Sequence, residues 1–119
     1  MIKAIFKRDE GSKAIIMTVK GHAGMDNTGH DIVCASASIL AYTVAQYLQY
    51  VHDRGGLQKK PRIDMKGGDA LIVAKPTEEF EGEILNAFFV AEVGYSLLAQ
   101  NYPQYVELKM FGEAKQQMK

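Results

Sequence analysis

Residues 31–52 decide how this chain folds: Asp31-Ile32-Val33-Cys34-Ala35-Ser36-Ala37-Ser38-Ile39-Leu40-Ala41-Tyr42-Thr43-Val44-Ala45-Gln46-Tyr47-Leu48-Gln49-Tyr50-Val51-His52. Within them Val33, Ala37, Leu40, Val44, Leu48 and Val51 recur at spacings of 4, 3, 4, 4 and 3. That spacing places an apolar stripe on one face of a helix. Asp31 stands just ahead of the stripe and reads as its N-cap. Gly55-Gly56 is its stop signal.

Upstream the period changes from helical to alternating. Residues 2–7 and 14–20 read as two strands joined by a turn over Arg8–Ser12, and the second, Ala14-Ile15-Ile16-Met17-Thr18-Val19, is rich in β-branched and apolar side chains. Between strand and helix, Gly21, Gly24 and Gly29 punctuate a segment with no apolar period, which reads as a mobile loop able to close over a substrate. Downstream, residues 62–66 and 69–75 form a hairpin around Gly67-Gly68. A second helix opens near Pro76-Thr77-Glu78-Glu79, with Thr77 as its cap. Its buried stripe is Ile84, Phe88, Ala91, Tyr95 and Leu98, and Phe80, Phe88, Phe89 and Tyr95 read as core. Residues 105–110 alternate as a last strand, and the polar tail from Gly112 reads as frayed. The order is ββαββαβ. Short turns between strands favour a mainly antiparallel sheet with two helices, an α+β fold.

One domain accounts for all 119 residues, with no repeat, low-complexity tract or linker. Lys+Arg and Asp+Glu balance at 14 each, which leaves no electrostatic footprint for nucleic acid or an anionic membrane. No uninterrupted apolar run approaches the ~20 residues that span a bilayer, and the start lacks the core of a signal peptide. A single cysteine makes no internal disulfide, so the expected setting is reducing and cytoplasmic.

That cysteine is also the candidate nucleophile. Placed at the third position of a helix capped by Asp31, Cys34 would lie among unpaired backbone amides, which favour a thiolate and can hold an oxyanion. Imidazole is the usual partner of such a thiol, and His22 lies 12 residues upstream at a strand end. Ser38, one turn beyond Cys34, shares its face. Read from residue type alone, each has a plainer role: Cys34 as a small buried hydrophobe, His22 as a turn residue, Asp31 as a cap, Ser38 as a small packing residue. His30 and His52 read as loop and helix-end residues. A metal site of His22, His30 and Cys34 lacks the compact ligand pairs such sites use. No cofactor is called for.

The segments Gly21-His22-Ala23-Gly24 and Gly29-His30-Asp31-Ile32-Val33-Cys34-Ala35, with Ser38 beyond, resemble the ribosomal-processing cysteine proteases called Prp. The similarity runs over essentially the whole chain, with Ala37 standing where a bulkier β-branched residue is expected. The resemblance implies His22 as base or proton shuttle, Cys34 as nucleophile, and Asp31 and Ser38 as accessory residues. It implies a homodimer that removes the N-terminal extension of a large-subunit ribosomal protein, number twenty-seven, by cutting after a phenylalanine pair. The competing class is a non-catalytic ribosome-assembly module that binds an extended peptide without cutting it.

Overall fold

The structure, a computed structural model, describes residues 1–21, 28–66 and 69–111, with side chains in the first helix described from Ile32 onward. The elements are β1 (Ile2–Asp9), β2 (Ala14–Lys20), α1 (Thr28–Asp53), β3 (Arg62–Lys66), β4 (Asp69–Ala74), α2 (Glu81–Asn101) and β5 (Val106–Lys109). This is the expected ββαββαβ order and the expected α+β class. The strands form one sheet in the order β3-β4-β2-β1-β5, antiparallel except for the parallel pair of β1 with β5.

Alternation decides the layering. The alternating buried residues are Ile2, Ala4 and Phe6 on β1, Ile15, Met17 and Val19 on β2, and Ala70, Ile72 and Ala74 on β4. The registers Ala4↔Val19, Phe6↔Met17, Met17↔Ile72 and Val19↔Ala70 bring these side chains to one sheet face. Both helices join them in a single core, which makes two layers, helices over sheet. All five residues of the α2 stripe are buried, as are five of the six on α1, with Leu40 half-buried. By length and mean hydropathy both helices would also suffice to cross a bilayer, but here each lays its apolar stripe on the sheet.

Several local expectations fail for identifiable reasons. The second helix begins at Glu81, with Phe80 at the cap position and no side-chain cap bond. Thr77 does not cap it, because its Oγ1 donates instead to the Gly56 carbonyl at 3.2 Å, while Pro76 bridges to Leu57. Phe89 is not core: it is half exposed, on the outer side of α2. Conversely, Glu92 lies within the buried face of α2 at 1% exposure, accepting the Phe111 N–H at 2.7 Å. Burial raises its carboxyl pKa, and the amide bond opposes this only in part.

Hydrogen bonds at two places fix the helices to each other. The buried Tyr95 hydroxyl of α2 donates to the Ala37 carbonyl of α1 at 2.7 Å. At the far end Tyr47 of α1 and Arg54, the residue just after α1, both donate to Glu83 of α2, at 2.9 and 3.1 Å. Burial first, then the bond to Glu83, pushes the Tyr47 hydroxyl up to about 12.

Candidate active site

A cleft of about 540 Å³, counting the solvent at its mouth, opens between α1 and the adjoining ends of β1, β2, β3 and β4. Cys34, Ser38 and Tyr42 line it from successive turns of α1. Their spacing of four puts them on one helical face. Ile2, Val19, Met65 and Ala70 supply apolar walls with Ala37 and Ala41 of α1, and Gly21, Lys66 and Asp69 complete the lining. Cys34 is half-buried at the cleft wall. Ser38 is half-buried and shares the cleft with it.

The strand that leads toward His22 is held firmly at its end. Gly21 has φ +96, and a Cβ there would come within 2.3 Å of the Met1 carbonyl oxygen. Only a residue without a side chain fits so close to β1 with that backbone. Its N–H donates to Asp69 Oδ1 at 3.0 Å. Chain connectivity and this bond therefore bring the residue before His22 to the rim of the cleft that holds Cys34. His22 itself lies outside the described residues, as do Gly24, the Gly67-Gly68 turn, the tail from Gly112, and the side chains of His30 and Asp31.

Two expectations about the helix start are corrected. Helix α1 begins at Thr28, not after Asp31, so Asp31 is its fourth residue and not its N-cap. Cys34 is then the seventh residue. Only the first four amides of a helix are without an intrahelical partner, so Cys34 stands beyond the group of amides that was expected to surround it. The glycine-bearing segment after Gly21 passes into helix earlier than its composition suggests. His52 does fall in the last turn of α1, half-buried, and its buried Nδ1 has no hydrogen-bond partner among the described residues.

Sequence reasoning found Cys34 and Ser38 but missed the rest of the lining. Tyr42 was legible, since it continues their spacing by one more turn. Met65, Lys66 and Asp69 come from the hairpin, and no local pattern ties a hairpin to a helix some 30 residues away in the chain.

The arrangement suits acyl chemistry on an extended chain: a half-buried thiol, a hydroxyl one turn away, and apolar walls for side chains flanking a scissile bond. Comparisons with known proteins agree with it. Solved structures share the fold. The ribosomal processing protease Prp from S. aureus, described as essential and in complex with a covalently linked product peptide, superposes with TM-score 0.66 at 21% identity, covering 93% of this chain and 99% of that one. A complex of the same protease with a substrate peptide gives 0.63 at 18% identity, with the same coverage. The protein SMU.848 from Streptococcus mutans gives 0.65 at 25% identity, covering 93% and 95%. No match was found among curated proteins by sequence. The family model for the cysteine protease Prp matches residues 1–107, which include the strand before His22, the helix that carries Cys34 and the hairpin that closes the cleft; this chain belongs to the Prp family of cysteine proteases.

Proposed function

We propose that the chain is an endopeptidase with a Cys34–His22 dyad, and that it removes the N-terminal extension of a large-subunit ribosomal protein, number twenty-seven, during ribosome assembly. The observation that carries this reading is the cleft itself. Cys34 lines one wall, and Gly21, covalently joined to His22, lines the rim. The ribosomal substrate is supported by family membership and by the relative from S. aureus, which is described as a ribosomal processing protease. The apolar lining of Ile2, Val19, Met65 and Ala70 suits a phenylalanine pair beside the scissile bond.

In the reaction, His22 takes the Cys34 proton and the thiolate sulfur adds to the scissile carbonyl carbon. The C–N bond breaks as His22 returns that proton to the leaving amine, leaving a thioester on Cys34. Water, deprotonated by His22, then attacks the thioester, and the thiol is restored as the new carboxylate leaves. Ser38 and Asp31 have accessory roles near the thiol. No cofactor enters these steps. A ribosomal substrate and a single cysteine fit a cytoplasmic setting. Exposed Ile32, Ile39, Phe89, Val90, Val93 and Leu97 on the two helices favour a homodimer.

The test is cleavage of the ribosomal protein carrying its extension, and of a peptide with a Phe-Phe pair, with folding followed by circular dichroism. Cys34→Ala should abolish turnover in a folded protein. His22→Ala should lower kcat by roughly 10²–10⁴-fold, with a smaller change in peptide affinity. His30→Ala should do little, and a chelator nothing. Turnover by folded Cys34→Ala removes the nucleophile assignment, and equal losses at His22 and His30 with inhibition by chelator favour a metal site. Peptide binding without cleavage by the native protein favours the assembly-module reading.

A further inference from the structure

The cleft at Cys34 continues past its own wall. Tyr42 of α1 and Met65 of β3 line it, and the same two side chains line a second groove completed by Ala45, Gln46, Gln49 and Ile63. Along α1 the residues Cys34, Ser38, Tyr42, Ala45 and Gln49 follow one another at spacings of 4, 4, 3 and 4. One helical face therefore walls both spaces, over about 22 Å at ~1.5 Å per residue. The facing wall is β3. Lys66, its last residue, lines the cleft, and Ile63 lines the groove, so the strand runs along the groove toward the thiol.

β3 is also an edge. It pairs with β4 on one side, and among the described residues no strand lies on the other. An edge strand presents a row of N–H and C=O groups that template another extended chain. The amides of Gln46 and Gln49 both donate and accept, as peptide groups require.

We propose that an extended peptide joins the sheet along β3 and runs through this groove into the cleft. The span from Arg62 to Lys66 is about 13 Å at ~3.3 Å per residue, room for about four residues on one side of the scissile bond. The proposal rests on the protease reading for where that bond lies. A peptide is favoured as occupant because the groove opens into the cleft of the proposed chemistry, and because its strand wall recognises main chain. Contacts to main chain grip a flanking sequence without demanding its identity, while side-chain specificity stays with the apolar cleft.

Affinity measured on Cys34→Ala protein tests the groove apart from the chemistry, and cleavage by native protein tests the chemistry. The probes are a short peptide limited to a Phe-Phe pair and its immediate neighbours, and two longer ones extended by four residues on either side. One extension should raise affinity at least tenfold. Within it, single N-methylation of the peptide amides should weaken binding about three- to tenfold at alternate positions only, the period of a strand and the scale of single hydrogen bonds. Gln46→Ala, at an exposed position, and Ile63→Ala should each reduce the gain from extension. Equal affinity for short and long peptides, or a methylation profile without a period of two, overturns the proposal. Failure of native protein to cleave any peptide, with the affinity pattern intact, overturns the protease reading and leaves the strand-addition groove standing.

Discussion

Glu92 is the one charged residue buried among the described residues, and its surroundings determine how it responds to pH. Burial disfavours the carboxylate and raises the folded-state pKa above the ordinary value; the Phe111 N–H lowers it, with smaller effect. The folded protein therefore binds this proton more tightly than the unfolded chain does. Stability from Glu92 is then fully present below the unfolded carboxyl pKa and declines as pH rises through the raised folded value. Glu92→Gln keeps an acceptor for Phe111 and removes the buried charge. Its Tm should match the native protein near pH 4 and exceed it near pH 7, with the gap opening between the ordinary and raised values. A gap that does not change with pH would mean that Glu92 stays ionised at no cost. Nothing in the sequence marked this residue. It occupies a position next to the Ala91 of the apolar stripe, and only the return of the chain to Phe111 supplies its partner.

Among the elements, α1 carries the site, so what fixes α1 fixes the thiol. Tyr95 reaches from α2 to the Ala37 carbonyl, less than one turn from both Cys34 and Ser38. The hydroxyl is buried, and burial holds its proton well above the ordinary tyrosine range. Tyr95→Phe deletes the bond and keeps the ring packed near Phe6. It should cost about 0.5–1.5 kcal/mol in denaturant unfolding, and should lower kcat of the peptidase more than it raises KM if the bond also fixes the thiol's position. An unchanged kcat would confine Tyr95 to stability. The two stripes on α1 and α2 were legible because a period of 3.6 survives any tertiary setting. The helix starts were not. Asp31 and Thr77 are both good caps by type, yet α1 begins before the first and Thr77 donates to Gly56 across the fold. A side chain with two possible partners is decided by tertiary structure, which local spacing does not contain. The cleft was half legible for the same reason: its α1 wall is periodic, and its hairpin wall is a consequence of sheet order.

For the molecule as a whole, the two-layer build leaves two broad surfaces to account for. One is the open sheet face, where Lys3, Lys7 and Lys20 are exposed and accompany half-buried Ile5, Ile16, Leu71 and Val73. The other is the outer side of the helix layer, with Phe89, Val90, Val93 and Leu97 exposed on α2 and Ile32 and Ile39 on α1. Both surfaces combine apolar and polar groups, but among the described residues the large apolar side chains left exposed lie almost all on the helix layer. Such exposure is unusual for a monomer and common at a self-association surface. A homodimer through the helix layer would bury on the order of 800 Å² per partner, and would do so behind α1, away from the side on which β3 and the cleft face each other. Val93→Glu places a charge in the centre of the α2 patch, at an exposed position where the fold itself should tolerate it. Sedimentation velocity should then show dimer for the native protein and monomer for the variant at the same concentration. The variant monomer should retain cleavage of the short Phe-Phe peptide if each cleft is complete within one chain. A variant that stays dimeric would move the interface to the open sheet face, and a monomeric variant that is folded yet inactive would mean that the partner chain completes the site.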